Sequence, residues 1–184
     1  MSKTIVVWAN SLVDRIVSEP IEPAGAVAEP YALWAIEKGP GVVAPCRHPA
    51  IQLVDDLKQI ERLKLHILNL GHTVSRRYLA ATGGGGDSGR ARIHRPAAVE
   101  EALTAIYRQE VLPVFARLPG GDGAEDYLAI TLERFANPFL NHRLADIAQN
   151  HVQKVERRIG AFLDLAKPFG LPQPRLAAIV AGAG

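Results

Sequence analysis

The sequence predicts a mainly α protein, and three observations carry that prediction. Apolar residues recur at spacings of three and four through the central and C-terminal stretches, the period of an amphipathic helix. The β-branched runs that read as strands are confined to residues 1–55. Glycine and proline then cut the remainder into segments of helical length.

Taken in order, the run 4–8, TIVVW, reads as a buried strand closed by Ala9-Asn10. The passage SEPIEPAGAVAEP is too rich in proline to be continuous helix. AVAEPYALWAIE is apolar on both sides of Glu29-Pro30 and is expected to pack on the core, GPGVVAPCRHPA is irregular, and IQLVDDL reads as a short strand. From Asp56 the period changes: Leu57, Ile60, Leu63, Ile67, Leu68, Leu70, Val74 and Tyr78 predict a helix of about six turns ending near Ala81. TGGGGDSG must be loop. A second helix runs from about Ala97 to Arg117, with Pro113 as a kink or break. After the LPGGDG turn comes a short helix, AEDYLAITLERF, interrupted at Asn137-Pro138. One long amphipathic helix is expected over FLNHRLADIAQNHVQKVERRIGAFLDLAK, and a small terminal helix over QPRLAAIVAGAG. The division expected is a strand- and loop-rich segment, 1–55, followed by a helical unit, 56–184.

The chain has 184 residues, 48% of them hydrophobic, enough to bury a real core. A net charge of +2, with acids and bases interspersed, argues against a nucleic-acid surface. The one cysteine, Cys46, excludes an internal disulfide and fits a reducing compartment. No stretch resembles a secretory signal or a membrane span, so no membrane partner and a cytoplasmic location are expected.

Candidate chemistry centres on KLHILNLGH, residues 64–72. At about 100° per residue, Lys64, His72 and Asn69 fall at roughly 0°, 80° and 140°, one broad flank of the helix. Gly71 lies on that flank and offers no side chain to obstruct a ligand. Lys64, between Leu63 and Leu65, can be half-buried, which favours the neutral amine that a general base needs. Asn69 offers an N–H donor to a developing alkoxide, and His72 can hydrogen-bond a hydroxyl. On the residues alone, the same three side chains also describe the solvated edge of a core helix. Gly84, Gly86 and Gly89 formally satisfy G-x-G-x-x-G, but a helix precedes them where a dinucleotide site needs a strand. His66 and His72 fall on different helix faces and there is no cysteine pair, so no metal site is expected.

The spacing K-x-x-x-x-N-x-x-H resembles the signature of the polyol-specific long-chain dehydrogenases, the mannitol dehydrogenase family. Three further segments are similar to that family in the right order: NSLVDRIV (10–17), AEPYALWAIE (28–37) and RFANPFLNHRLADIAQNHVQK (134–154). The resemblance implies a multi-helical C-terminal catalytic domain, like that of 6-phosphogluconate dehydrogenase. It also implies hydride exchange between NAD or NADP and a sugar alcohol or sugar acid, without a metal. Lys64 would be the general base, Asn10 and Asn69 would hold the alkoxide oxygen, and His72 would position a hydroxyl. Lys154 would reach a distant substrate oxygen. Glu29 and Arg134 are candidate substrate contacts, with alternative roles in orienting the backbone and in tying the helices to a carboxylate.

Asp146, where the mannitol branch has arginine, and Lys38, where an aspartate is usual, point away from mannitol. The Asn-Pro-Phe-Leu-x-His block resembles the tagaturonate reductase branch and implies a sugar acid. Family members carry an N-terminal nucleotide-binding domain, so residues 1–55 would be its end and the nucleotide site would lie largely outside this chain. An uncovered surface around residues 4–10 is then expected to self-associate. The competing expectation is a non-catalytic helical module that binds a ligand or a protein.

Overall fold

A computed structural model of the chain describes residues 6–81, 96–137 and 150–183. Five strands precede five helices among these residues. Strand β1 (Ser11–Asp14) runs antiparallel to β4 (Leu33–Glu37), with Val13 opposite Trp34 and Asp14 opposite Leu33. Strand β5 (Ile51–Val54) lies parallel on the other side of β4, Trp34 facing Ile51. Between β1 and β4, the proline-rich passage forms a hairpin of β2 (Val17–Ile21) and β3 (Gly25–Ala28), whose turn contains a cis Glu22–Pro23 peptide.

The strand expected at 4–8 is not formed where it can be followed. Residues 6–8 join no sheet, and Trp8 is 90% exposed. Their β-branched side chains have the propensity of a strand but no neighbouring strand to pair with, and pairing is what stabilises a strand. The sheet that does form is apolar on both faces. Leu33, Ala35 and Leu12 pack on Leu57 and Ile60, while Val13, Trp34 and Leu53 stay exposed.

Helix α1 spans 57–81. Asp56 caps it, its carboxylate accepting the Lys58 N–H at 2.9 Å. It is regular over Leu57–Leu63, widens into a π turn over Lys64–Asn69, and is regular again over Leu70–Ala81. Helix α2 repeats the pattern, with Ala97–Ile106, a π turn at Tyr107–Val111, then Leu112–Phe115. The irregularity expected at Pro113 therefore takes the form of a wide turn just before it. Helix α3 is Ala124–Ala136, entered through Gly123 at φ 86°. Helix α4 comprises His151–Val155, a third π turn at Glu156–Gly160, and Ala161–Ala166. Helix α5 is Pro174–Ala181, its first N–H groups capped by the buried Glu110 carboxylate, which accepts from Arg175 N at 3.1 Å and Leu176 N at 3.0 Å.

The single long helix expected through 139–167 is not continuous. Asn150 adopts a left-handed conformation, φ 55°, and α4 starts only at His151. Asparagine tolerates that conformation better than most residues. The glycine run 83–86 with Gly89, and Asp146 with His142, lie outside the described residues.

The three π turns meet in the core. A π turn leaves carbonyls without their usual i+4 partner, and side chains from the same helix and from a neighbouring one take them. The buried Tyr107 hydroxyl donates to Ile67 O at 2.7 Å, and Thr73 Oγ1 donates to Asn69 O at 3.0 Å. His66 meets the Arg158 carbonyl at 3.2 Å, an acceptor only, so the proton sits on Nδ1. Around this crossing Ile67, Leu70, Val74, Ile106, Phe115, Ile159 and Phe162 form the main core.

Candidate functional site

Lys64 and Asn69 open and close the first π turn. The Leu70 N–H reaches back to Leu65 O, five residues earlier, so one turn holds more residues than in an α-helix. Residues five apart are therefore drawn closer to a common face than the 140° of regular spacing allows. The wide turn sets positions 64 and 69 nearer to one face than the 100° ruler foresees. His72 follows on the next, regular turn, its ring tilted against Phe135 with centroids 4.6 Å apart.

Gly71 does something other than open a path for a ligand. It is buried, and a Cβ there would collide with the Tyr107 hydroxyl and the Phe135 ring. The glycine admits the tyrosine that closes the π turn.

Lys64 is 27% exposed at its side chain and donates to Val13 O at 2.6 Å, with Asp14 Oδ1 at 3.9 Å. The amine thus sits where α1 meets β1. Asn10 lies exposed just before β1, and its amide donates to Glu37 Oε2 at 2.9 Å. The Asn69 side-chain amide has no hydrogen-bond partner among the described residues. Lys154 is half-buried on α4.

Glu29 and Arg134 belong to a separate, buried ionic knot. Arg134, on α3, donates two bonds to Asp14, at 3.1 Å each, and two to Glu29, at 3.0 and 2.7 Å. Its guanidinium stacks 4.1 Å over the Tyr31 ring. Glu29 also accepts the Ile16 N–H at 2.6 Å, and Asp14 the Tyr127 hydroxyl at 2.8 Å. Burial alone would weaken the Arg134 cation, but its hydrogen bonds to Glu29 and Asp14 outweigh it and raise its pKa. Burial and the adjacent Asp14 carboxylate push the Tyr127 hydroxyl well above the usual tyrosine value. The knot clasps the strand layer to α3, and every charged group in it is engaged. Glu29 and Arg134 themselves, with Tyr31, Ile130, Glu133 and Asn137, line an open cleft of about 590 Å³.

Sequence reasoning missed Asp14 and Tyr127. Asp14 stands in the NSLVDRIV segment without an assigned role; nothing near Tyr127 signals its partner 113 residues away. Among the described residues no helix is long and apolar enough to cross a membrane, and no group of three or more His, Cys, Asp or Glu could hold a metal ion.

Residues 56–183 match the model of the mannitol dehydrogenase C-terminal domain. The chain is 32% identical over 162 residues to a Saccharomyces cerevisiae mannitol dehydrogenase, covering 85% of this chain and 31% of that protein. It is 31% identical over 141 residues to D-mannonate oxidoreductase of Escherichia coli, covering 75% and 28%. The Pseudomonas fluorescens mannitol 2-dehydrogenase, solved as a ternary complex with NAD and D-mannitol, superposes on it with a TM-score of 0.70. That pairing covers 94% of this chain and 37% of the other at 21% identity, and so shows a shared fold. The chain spans about a third of the length of the curated relatives it matches. With a mainly helical structure and a match over most of its length, it belongs to the mannitol dehydrogenase C-terminal domain family.

Proposed function

We propose that this chain is the substrate-binding, proton-handling half of an oxidoreductase that interconverts a sugar alcohol or sugar acid and its keto form. The observation that carries the reading is the π turn, which sets Lys64 and Asn69 on a common stretch with His72 one turn on. Its membership of the family gives that constellation its meaning.

In oxidation, the Lys64 amine takes the proton of the reacting hydroxyl, and in reduction it returns it. Asn69 donates to the oxygen as negative charge develops there. Asn10, one of whose two amide N–H groups is engaged by Glu37, can join it with the other. His72 positions a neighbouring hydroxyl, and Lys154 a more distant substrate oxygen. A bound nicotinamide, NAD or NADP, supplies the hydride acceptor; one hydride and one proton leave the alcohol, and no metal is invoked. The described residues fit the oxygen side of this chemistry. They contain no strand–glycine turn–helix to cradle a pyrophosphate, so the nucleotide is assigned to another unit. Residues 6–10 and the apolar outer face of the sheet are where such a unit would dock, and, left uncovered, where self-association would occur. The reading places the protein in the cytoplasm.

A non-catalytic binding module is the second reading, favoured by the engagement of Lys64 with Val13 O and of Asn10 with Glu37. Binding of ketoses and keto-sugar acids to the purified chain, followed by NADH-dependent turnover with a nucleotide-binding unit supplied, tests the first. Lys64→Ala should lower turnover by about 10²-fold or more, the range for removing a general base, while leaving the melting temperature within a few degrees. A variant with unchanged turnover but a large fall in melting temperature would make Lys64 a strut and favour the second reading.

A further inference from the structure

The ionic knot is short of one positive charge. Asp14 and Glu29 bring two buried carboxylates to it, and Arg134 brings a single guanidinium. Arg15 bonds the Glu29 carbonyl at 3.1 Å rather than a carboxylate. Counted as ions, the three groups leave one negative charge in excess, and an uncompensated charge away from water is costly. Lys64 Nζ stands 3.9 Å from Asp14 Oδ1 and, among the described residues, completes the count. The candidate base is the knot's fourth charge.

The backbone sets this contact as closely as the charges do. The Glu37 N–H donates to Asn10 O at 2.9 Å. In the antiparallel pairing of β1 with β4, the carbonyls of residues 10, 12 and 14 therefore face β4, and that of Val13 faces away. Lys64 takes this outward carbonyl at 2.6 Å, which engages one of its three donors. The Asp14 carboxylate is fixed in turn. Tyr127 donates to Oδ2 at 2.8 Å, and Arg134 donates to both oxygens at 3.1 Å. It cannot swing away from the amine without breaking these bonds.

We propose that Asp14 is a positioning residue for Lys64: with Val13 O it holds the amine in place, and its carboxylate stabilises positive charge as a proton arrives on Nζ. The proposal rests on the reading of Lys64 as the general base. In oxidation the substrate O–H bond breaks and its proton joins the amine lone pair. The oxygen keeps the electron pair and closes the carbonyl as the carbon-bound hydrogen leaves as hydride to the nicotinamide. A neutral amine leaves the knot with its excess negative charge, and the ammonium cancels it, so the surrounding charges favour the transfer. Holding a flexible lysine stem in register also lowers the entropic cost of reaching the reacting geometry. In reduction the same contacts aim the ammonium that returns the proton.

The test is a double-mutant cycle in the full chain, with turnover of ketoses and keto-sugar acids measured with NADH and a nucleotide-binding unit supplied. Asp14→Asn keeps the shape of the side chain and removes its charge. It should lower kcat by about tenfold or more, with KM changed by less than about twofold, the pattern of a contact made in the transition state. In a Lys64→Ala background the same substitution should change kcat by less than about twofold, because Asp14 then has no base to position. Equal losses in the two backgrounds, or no loss with Lys64 present, would overturn the proposal and leave Asp14 a clasp alone. If Asp14→Asn does not melt cooperatively, Tyr127→Phe, which releases Oδ2 and leaves the charge, replaces it in the cycle and is read in the same way. No turnover by the parent, or turnover that Lys64→Ala leaves unchanged, would instead remove the base reading itself and the proposal with it.

Discussion

The knot at Arg134 and the guanidinium of Arg76 on α1 are both arginine centres between packed elements, yet they are built oppositely. Arg134 meets two buried carboxylates with four hydrogen bonds. Among the described residues Arg76 meets none, and its buried Nη1 has no hydrogen-bond partner. The difference separates a charge that assembles the fold from one that enters no ion pair among the described residues. It also gives Glu29 and Arg134 the tying role that the sequence offered beside substrate contact, while both line the cleft at Tyr31. Four of the five Arg134 N–H groups are taken by the two buried carboxylates.

The comparison breaks if the knot proves dispensable. Arg134→Ala would leave Glu29 buried without its counter-charge and Asp14 with Lys64 alone at 3.9 Å, and loss of one partner from such a pair costs about 3–5 kcal/mol. Chemical denaturation should show that loss, together with detachment of the strand layer in hydrogen exchange; a variant within about 1 kcal/mol of the parent would put the clasp in error. Next in size is Gly71→Ala. The added methyl must displace the Tyr107 hydroxyl from Ile67 O, and overpacking of this kind costs about 1–3 kcal/mol. An unchanged denaturation midpoint would restore Gly71 as open surface facing a ligand.

The smallest effect concerns pH. Burial lowers the His66 pKa, opposed in part by the Arg158 carbonyl. The unfolded chain therefore binds a proton near pH 6.5 that the folded chain refuses. Stability is complete above that pH and falls as the pH drops through it, by at most about 1.4 kcal/mol per unit for this one group. His151, lowered in the same direction, adds to the slope. His66→Gln should flatten the melting temperature between about pH 7 and 5.5; an identical slope would assign the acid sensitivity elsewhere.

The sequence made the helices legible because their apolar stripes are long and their stops are glycine and proline. It also carried the candidate site, since Lys64, Asn69 and His72 are close in the chain and share a signature. What it concealed was anything dependent on distant partners. Nothing in TIVVW says that residues 6–8 lack a neighbouring strand. Nothing at Glu29 says that Arg134, 105 residues on, will meet it. The π turns were hidden for a different reason: periodicity assumes a constant angle per residue, and a widened turn violates that assumption at the one place where the angle between Lys64 and Asn69 matters.

The chain's two tryptophans, Trp8 and Trp34, both lie in the strand-bearing part, exposed, and none lies in the helices. Their emission is thus an optical reporter of one surface only. It should report solvent at the apolar outer face of the sheet and shift to the blue when that face is covered, whatever the helical core is doing. The phenols of Tyr107 and Tyr127, sunk in the core, supply the complementary signal, so one cuvette can follow docking and folding as two separate colours.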